Sequence, residues 1–155
     1  EEFSRWADKG QALSDELLVL VDEDTRAFNK IMEAFGLPKK TDEDKRLRSE
    51  AIQAATLFAT QVPLQTMQAA FGAFELCQAM AEQGNPNSVS DAGVGALAAR
   101  AAVLGAGLNV KINAASLKDR ETADKMIAEA EQLIAEAQKK EAEIIGIVER
   151  KINEA

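Results

Sequence analysis

A chain of 155 residues, 46% of them hydrophobic, is long enough to bury a core as one domain over 1–155 without staples. Its formal net charge of -8 argues against nucleic acid and anionic membrane surfaces as partners, because both demand a cationic footprint. Histidine is absent and Cys77 stands alone, so a Ser-His-Asp triad, a Cys-His pair, a His-based zinc site and an intrachain disulfide are all excluded. No metal site is expected.

The absence of Tyr, the scarcity of aromatics and the abundance of Ala favour an all-α fold. Glu2 to Phe35 reads as one long helix, with Phe3, Trp6, Gly10, Leu13, Leu17, Leu20, Asp24, Ala27, Ile31 and Ala34 stepping by threes and fours. Gly36-Leu37-Pro38 ends it. Thr41 followed by Asp42, Glu43 and Asp44 predicts a capped helix start, and the run extends to about Gln83. Pro63 either kinks that helix or begins a second one. Cys77 lies in its apolar stretch FGAFELCQAM and reads as a small core residue.

Gly84 to Val89 predicts a turn, with Ser90 or a near neighbour capping the next helix. From Ala92 to Ala115, thirteen of twenty-four residues are Ala or Gly, and only Arg100 and Lys111 are charged. Such a helix suits burial at the centre of an antiparallel bundle, because small side chains admit close neighbours. Arg100 and Lys111 share one face, either as a wet edge or as a phosphate- or carboxylate-binding pair. Asp119 caps a last helix running to about Asn153, roughly 50 Å long. No charge-free run of about 18 apolar residues occurs, so no membrane partner is expected. The lone thiol fits a reducing, cytoplasmic setting. The chain opens without Met inside a helix, and a preceding segment is expected.

Three features break the local pattern. Asp24 occupies a stripe position whose i±3 and i±4 neighbours Leu20, Val21, Ala27 and Phe28 are apolar, whereas Asp22 and Glu23 read as solvated. A carboxylate there loses hydration; it either pairs with a cation or helix N-terminus of a neighbour, or serves in proton transfer. Asn85, Asn87, Ser88, Ser90 and Asp91 crowd a helix N-terminus, as turn and cap or as a binding island. Asn109 and Asn113 lie one turn apart and need partners, from a neighbouring helix or from a ligand.

Four segments, LLVLVDEDTRAFNKIMEAFGLPK (17–39), QVPLQTMQAA (61–70), GNPNSVSDAGV (84–94) and GLNVKIN (107–113), together resemble the cyclodeaminase/cyclohydrolase family. The resemblance implies a helical domain acting on folate-bound one-carbon units, usually as a homodimer, with a formiminotransferase as possible partner. It implies no cofactor beyond the tetrahydrofolate substrate. Formiminotetrahydrofolate cyclodeaminase, which closes the 5-formimino group to 5,10-methenyltetrahydrofolate and releases ammonia, is the first expectation, and methenyltetrahydrofolate cyclohydrolase the second. A helical interaction protein without activity is the third. The family's catalytic Asp matches Asp24, and Asn85, Ser90, Asp91, Asn109 and Asn113 match its pocket positions. The family's N-terminal Gly- and Ser-rich segment has no counterpart in EEFSRWADKGQAL, so the domain is expected to lack it.

Overall fold

The computed structural model describes residues 2–154, and these form four helices and one short 3-10 turn, with no strand among them. Helix α1 spans Glu2–Gly36, α2 Asp42–Gln83, α3 Val89–Ala114 and α4 Arg120–Glu154, with the 3-10 turn at Pro86–Ser88. The order is that of an antiparallel bundle in which α2 touches each of the other three helices.

Local chemistry sets the ends. Thr41 Oγ1 accepts the Asp44 N–H at 3.0 Å while Asp44 Oδ2 accepts the Thr41 N–H at 3.0 Å, so two otherwise orphaned donors are satisfied reciprocally. Asp119 does the same duty for α4, accepting from the Thr122 N–H at 3.1 Å and the Thr122 hydroxyl at 2.7 Å. At the start of α3 the cap position is Ser88, whose side chain makes no capping bond, and Ser90 falls inside the first turn.

Pro63 does not break α2, which runs unbroken for 42 residues. A helical proline leaves the carbonyl four residues earlier without its N–H partner. That carbonyl belongs to Ala59, and Asn113 of α3 fills the vacancy by donating Nδ2–H to it at 2.7 Å. The interhelical partner that the sequence demanded for this amide is thus a backbone oxygen.

The main core lies where α2, α3 and α4 meet, around Met67, Phe74, Val103, Val110, Ala130, Ala137 and Ile144. Cys77 belongs to it, and burial pushes its thiol upward from the ordinary range. Small residues on α3 set the spacing: a Cβ on Gly107 would stand 2.9 Å from Ile134 Cδ1, and one on Gly95 2.9 Å from Cys77 Sγ. Arg100 and Lys111 are both engaged by α4, Arg100 with Glu141 at 3.8 Å and Lys111 with Glu131 at 3.0 Å. They form the charged seam between two helices, a structural use. By length and composition α3 would also suit a membrane span, with mean hydropathy 1.4 in its most apolar stretch, yet here its inner side is core.

Helix α1 rests on α2 through a narrow row, with Leu20, Ala27 and Ala34 buried. Leu13, Leu17 and Ile31 of the same stripe are half-buried, while Leu18, Val21, Phe28 and Met32 on its flanks are exposed. A helix touching one neighbour buries only about a third of its circumference.

Candidate functional site

Between α1 and α3, floored by α2, runs a groove with a cavity of about 400 Å³ at its middle. Helix α1 supplies Leu17, Leu20, Val21, Asp24 and Thr25, α2 supplies Pro63 and Thr66, and α3 supplies Ala102, Ala106 and Asn109. Two of the residues singled out in the sequence, Asp24 and Asn109, meet here from different helices. They are separated by 85 positions in the chain and brought together only by the fold.

Asp24 is exposed, contrary to its expected place in a buried seam. The reason is geometric: the contact with α2 runs along Leu20, Ala27 and Ala34, and Asp24 stands at its rim, facing the groove. No cation or backbone N–H among the described residues engages its carboxylate, so pairing with a neighbour does not account for it. Asp22 is exposed, as a solvated acid should be, whereas Glu23 is half-buried and paired with Arg26 at 2.8 Å.

Asn109 is exposed and only loosely tied to its own helix, donating to the Gly105 carbonyl at 3.4 Å. Thr25 and Thr66 turn their hydroxyls back to the Val21 and Val62 carbonyls at 3.2 and 3.0 Å. Their methyl groups and the walls of Leu17, Leu20, Pro63, Ala102 and Ala106 leave a slot that is apolar on its sides. Its polar groups are one acceptor-only carboxylate and one amide able to donate and accept. Sequence reasoning did not reach Thr25 and Thr66; Pro63 within the QVPLQT segment was the signal that a special α2 surface lies there.

The other expected site residues fall elsewhere. Asn85 and Asp91 line a second, mostly apolar cavity of about 440 Å³ with Phe3, Leu76, Cys77 and Met80. Asn85 also caps the 3-10 turn by accepting the Asn87 N–H at 3.1 Å, and Ser90 is exposed on the first turn of α3. Asp91 and Asn109 lie on the same face of α3, but eighteen residues at the helical rise separate them by about 27 Å. The structure therefore brings Asp24 and Asn109 together, sets Asn85 and Asp91 apart from them, and commits Asn113 to the α2 backbone. No cluster of three or more metal-binding side chains occurs among the described residues.

The fold and the sequence both have known counterparts. A solved structure of formiminotetrahydrofolate cyclodeaminase from Thermotoga maritima superposes with a TM-score of 0.83 at 23% identity, covering 97% of this chain and 71% of that one. A methenyltetrahydrofolate cyclohydrolase of Methylorubrum extorquens is 40% identical over 146 residues, which is 94% of this chain and 70% of that protein. The formimidoyltransferase-cyclodeaminase of Gallus gallus is 34% identical over 88% of this chain, which corresponds to only 25% of that longer protein. The family model described as formiminotransferase-cyclodeaminase matches residues 1–132. On these matches the chain belongs to the formiminotransferase-cyclodeaminase family, whose members compared above are enzymes.

Proposed function

We propose that the α1–α3 groove is an active site for the folate-bound one-carbon unit, with Asp24 as the proton-transfer residue and Asn109 as its companion at the rim. The observation that carries this is the meeting of Asp24 and Asn109 in one apolar slot. A flat pteridine ring suits walls of Leu17, Leu20, Pro63 and Ala102, and a carboxylate at the edge suits a reaction in which a proton must move.

Hydrolysis of the methenyl bridge is the first reading, favoured by 40% identity to a methenyltetrahydrofolate cyclohydrolase over nearly the whole chain. Water adds to the methenyl carbon while Asp24 accepts its proton. The tetrahedral adduct then breaks its bond to N5, which takes that proton, while the adduct's hydroxyl proton is released to solvent and the formyl carbonyl forms on N10. Cyclodeamination is the second reading, favoured by the family description and by the vertebrate relatives. There N10 attacks the formimino carbon, and the same carboxyl carries the N10 proton to the departing ammonia. Either reaction is complete without a metal, a redox partner or a cofactor other than the folate itself. A formiminotransferase partner belongs to the second reading only.

The test incubates the chain separately with methenyltetrahydrofolate and with formiminotetrahydrofolate, following methenyl absorbance and ammonia together. Loss of absorbance without ammonia supports the hydrolase, and ammonia release the deaminase. Asp24→Asn keeps the shape and removes the proton carrier, so turnover is expected to fall by about 100-fold or more with helical content unchanged. An undiminished rate would remove Asp24 from the mechanism.

A further inference from the structure

Little in the packing of α3 fixes how far it is turned about its own axis. Seven of its ten buried residues are Ala or Gly, and the other three are Val89, Val103 and Val110. Ridges this low interlock shallowly with a neighbouring helix, so a small rotation meets little resistance. The charged contacts to α4 do not hold it firmly either. Arg100 reaches Glu141 only at 3.8 Å, and Lys111 meets Glu131, whose side chain is mostly exposed. Gln53 of α2 bonds the Ser116 carbonyl at 3.1 Å and the Lys118 N–H at 2.7 Å, but these lie in the loop beyond α3 and leave the helix free to turn. One directional contact remains. Asn113 donates Nδ2–H to the Ala59 carbonyl at 2.7 Å, and among the described residues no other hydrogen bond joins the helical bodies of α2 and α3.

That acceptor is available because Pro63 has no N–H to give it. A single polar side chain can select one arrangement between helices whose apolar contacts would permit several, and the free Ala59 oxygen lets Asn113 do so here. Asn109 stands four residues earlier and therefore about 40° round the helix from Asn113. With Asn113 pinned inward against α2, this offset turns Asn109 outward to the rim of the groove, into the cavity that Asp24 and Pro63 also line. A side-chain tip lies about 5–6 Å from the helix axis, so a rotation of about 10° displaces it by about 1 Å. Pro63 thus serves twice, as a wall of the groove and as the reason the Ala59 carbonyl is free.

We propose that Asn113 is a positioning residue for the chemistry of the groove: its bond to the Ala59 carbonyl sets the rotation of α3 and thereby holds Asn109 in line with Asp24. Asn113 itself touches neither the folate nor the reacting atoms, and it acts through Asn109. Its catalytic consequence rests on the function proposed above; its hold on α3 does not.

The experiment combines kinetic cycles with a crystal structure. Asn113→Ala is expected to lower kcat about tenfold or more while KM changes by less than about threefold, because the apolar walls stay in place and only the polar pair is misaligned. Asn109→Ala should lower kcat by a similar factor, and the double variant should fall no further than Asn109→Ala alone. In a Pro63→Ala background the Ala59 carbonyl regains an N–H, so the stability cost of Asn113→Ala fades, yet its loss of kcat should persist. A loss of kcat that vanishes together with the stability cost, or losses at Asn109 and Asn113 that multiply, would overturn the proposal. The crystal structure of Asn113→Ala should show Asn109 displaced by about 1 Å relative to Asp24. An unmoved Asn109 would overturn the proposal whatever the turnover. If Asn109 moves as expected and the unaltered chain converts neither methenyltetrahydrofolate nor formiminotetrahydrofolate, the hold of Asn113 on α3 stands and the folate reading fails.

Discussion

Replacing Asn113 by alanine should cost stability in proportion to what stands at position 63. In the native chain the Ala59 carbonyl receives no N–H from Pro63 and is satisfied by Asn113 Nδ2 at 2.7 Å. Ala59 is only 7% exposed, so water does not readily replace that donor. Orphaning a buried carbonyl costs about 1–2 kcal/mol. For a chain of this length that lowers Tm by about 3–6 °C. When Pro63 is first changed to Ala, the N–H of residue 63 returns to the Ala59 oxygen, and Asn113→Ala should then cost less than about 0.5 kcal/mol. The double-mutant cycle is therefore expected to show a coupling of about 1 kcal/mol, read from urea or thermal unfolding by far-UV circular dichroism at one fixed chain concentration. Equal costs of Asn113→Ala in the two backgrounds would refute the idea that this amide repairs the proline.

Two further outcomes follow from the helix ends. Gly84→Ala places a Cβ 2.4 Å from the Met80 carbonyl oxygen, which cannot retreat without losing the 3.0 Å bond from the Gly84 N–H. A loss of about 2 kcal/mol is expected, with faster amide exchange confined to the end of α2 and the 3-10 turn; an unchanged stability would contradict the geometry. Asp44 is held below the usual carboxylate range by the Thr41 backbone N–H first and the Thr41 side chain second, and Asp119 by the Thr122 hydroxyl first and the Thr122 N–H second. A folded-state pKa below the unfolded one stabilises above the unfolded value, near pH 4, and that gain disappears as pH falls through the folded value. Asp44→Asn and Asp119→Asn should therefore lower stability at neutral pH and flatten the decline below about pH 4. Acid unfolding curves parallel to those of the unaltered chain would exclude this.

Much of the bundle is written in local chemistry. The Thr41 and Asp119 caps, the Gly36-Leu37-Pro38 stop and the stripes of α1 and α4 place the helices within a residue or so. Pro63 left two outcomes open because the group that settles them, Asn113, lies on another helix. The burial of Asp24 was misjudged for a related reason. Periodicity reports how wide an apolar stripe is, while burial depends on how many helices lean on it, and α1 has essentially one. The separation of Asp91 from Asn109 is legible in the sequence, because both fall on one predicted helix eighteen residues apart and the rise per residue is fixed. What no pattern revealed was that Asp24 belongs with Asn109, an encounter produced by packing both α1 and α3 on α2.

The exposure of Asp24 changes when the acid is expected to become effective. In the single chain its carboxylate meets water at the rim of an apolar slot, so its desolvation belongs to the complex. A flat ring seated against Leu17, Leu20, Pro63 and Ala102 excludes solvent from the slot, so a proton moving to or from the bound one-carbon unit has the carboxylate rather than bulk water as its partner. Asp24→Asn, which keeps the shape, should therefore bind a non-reacting folate about as tightly as the unaltered chain while losing turnover by about 100-fold. Titration calorimetry measures the first and methenyl absorbance the second. A loss of affinity that matches the loss of turnover would make Asp24 a binding group only, and the proton chemistry of this groove would have to be sought in another residue.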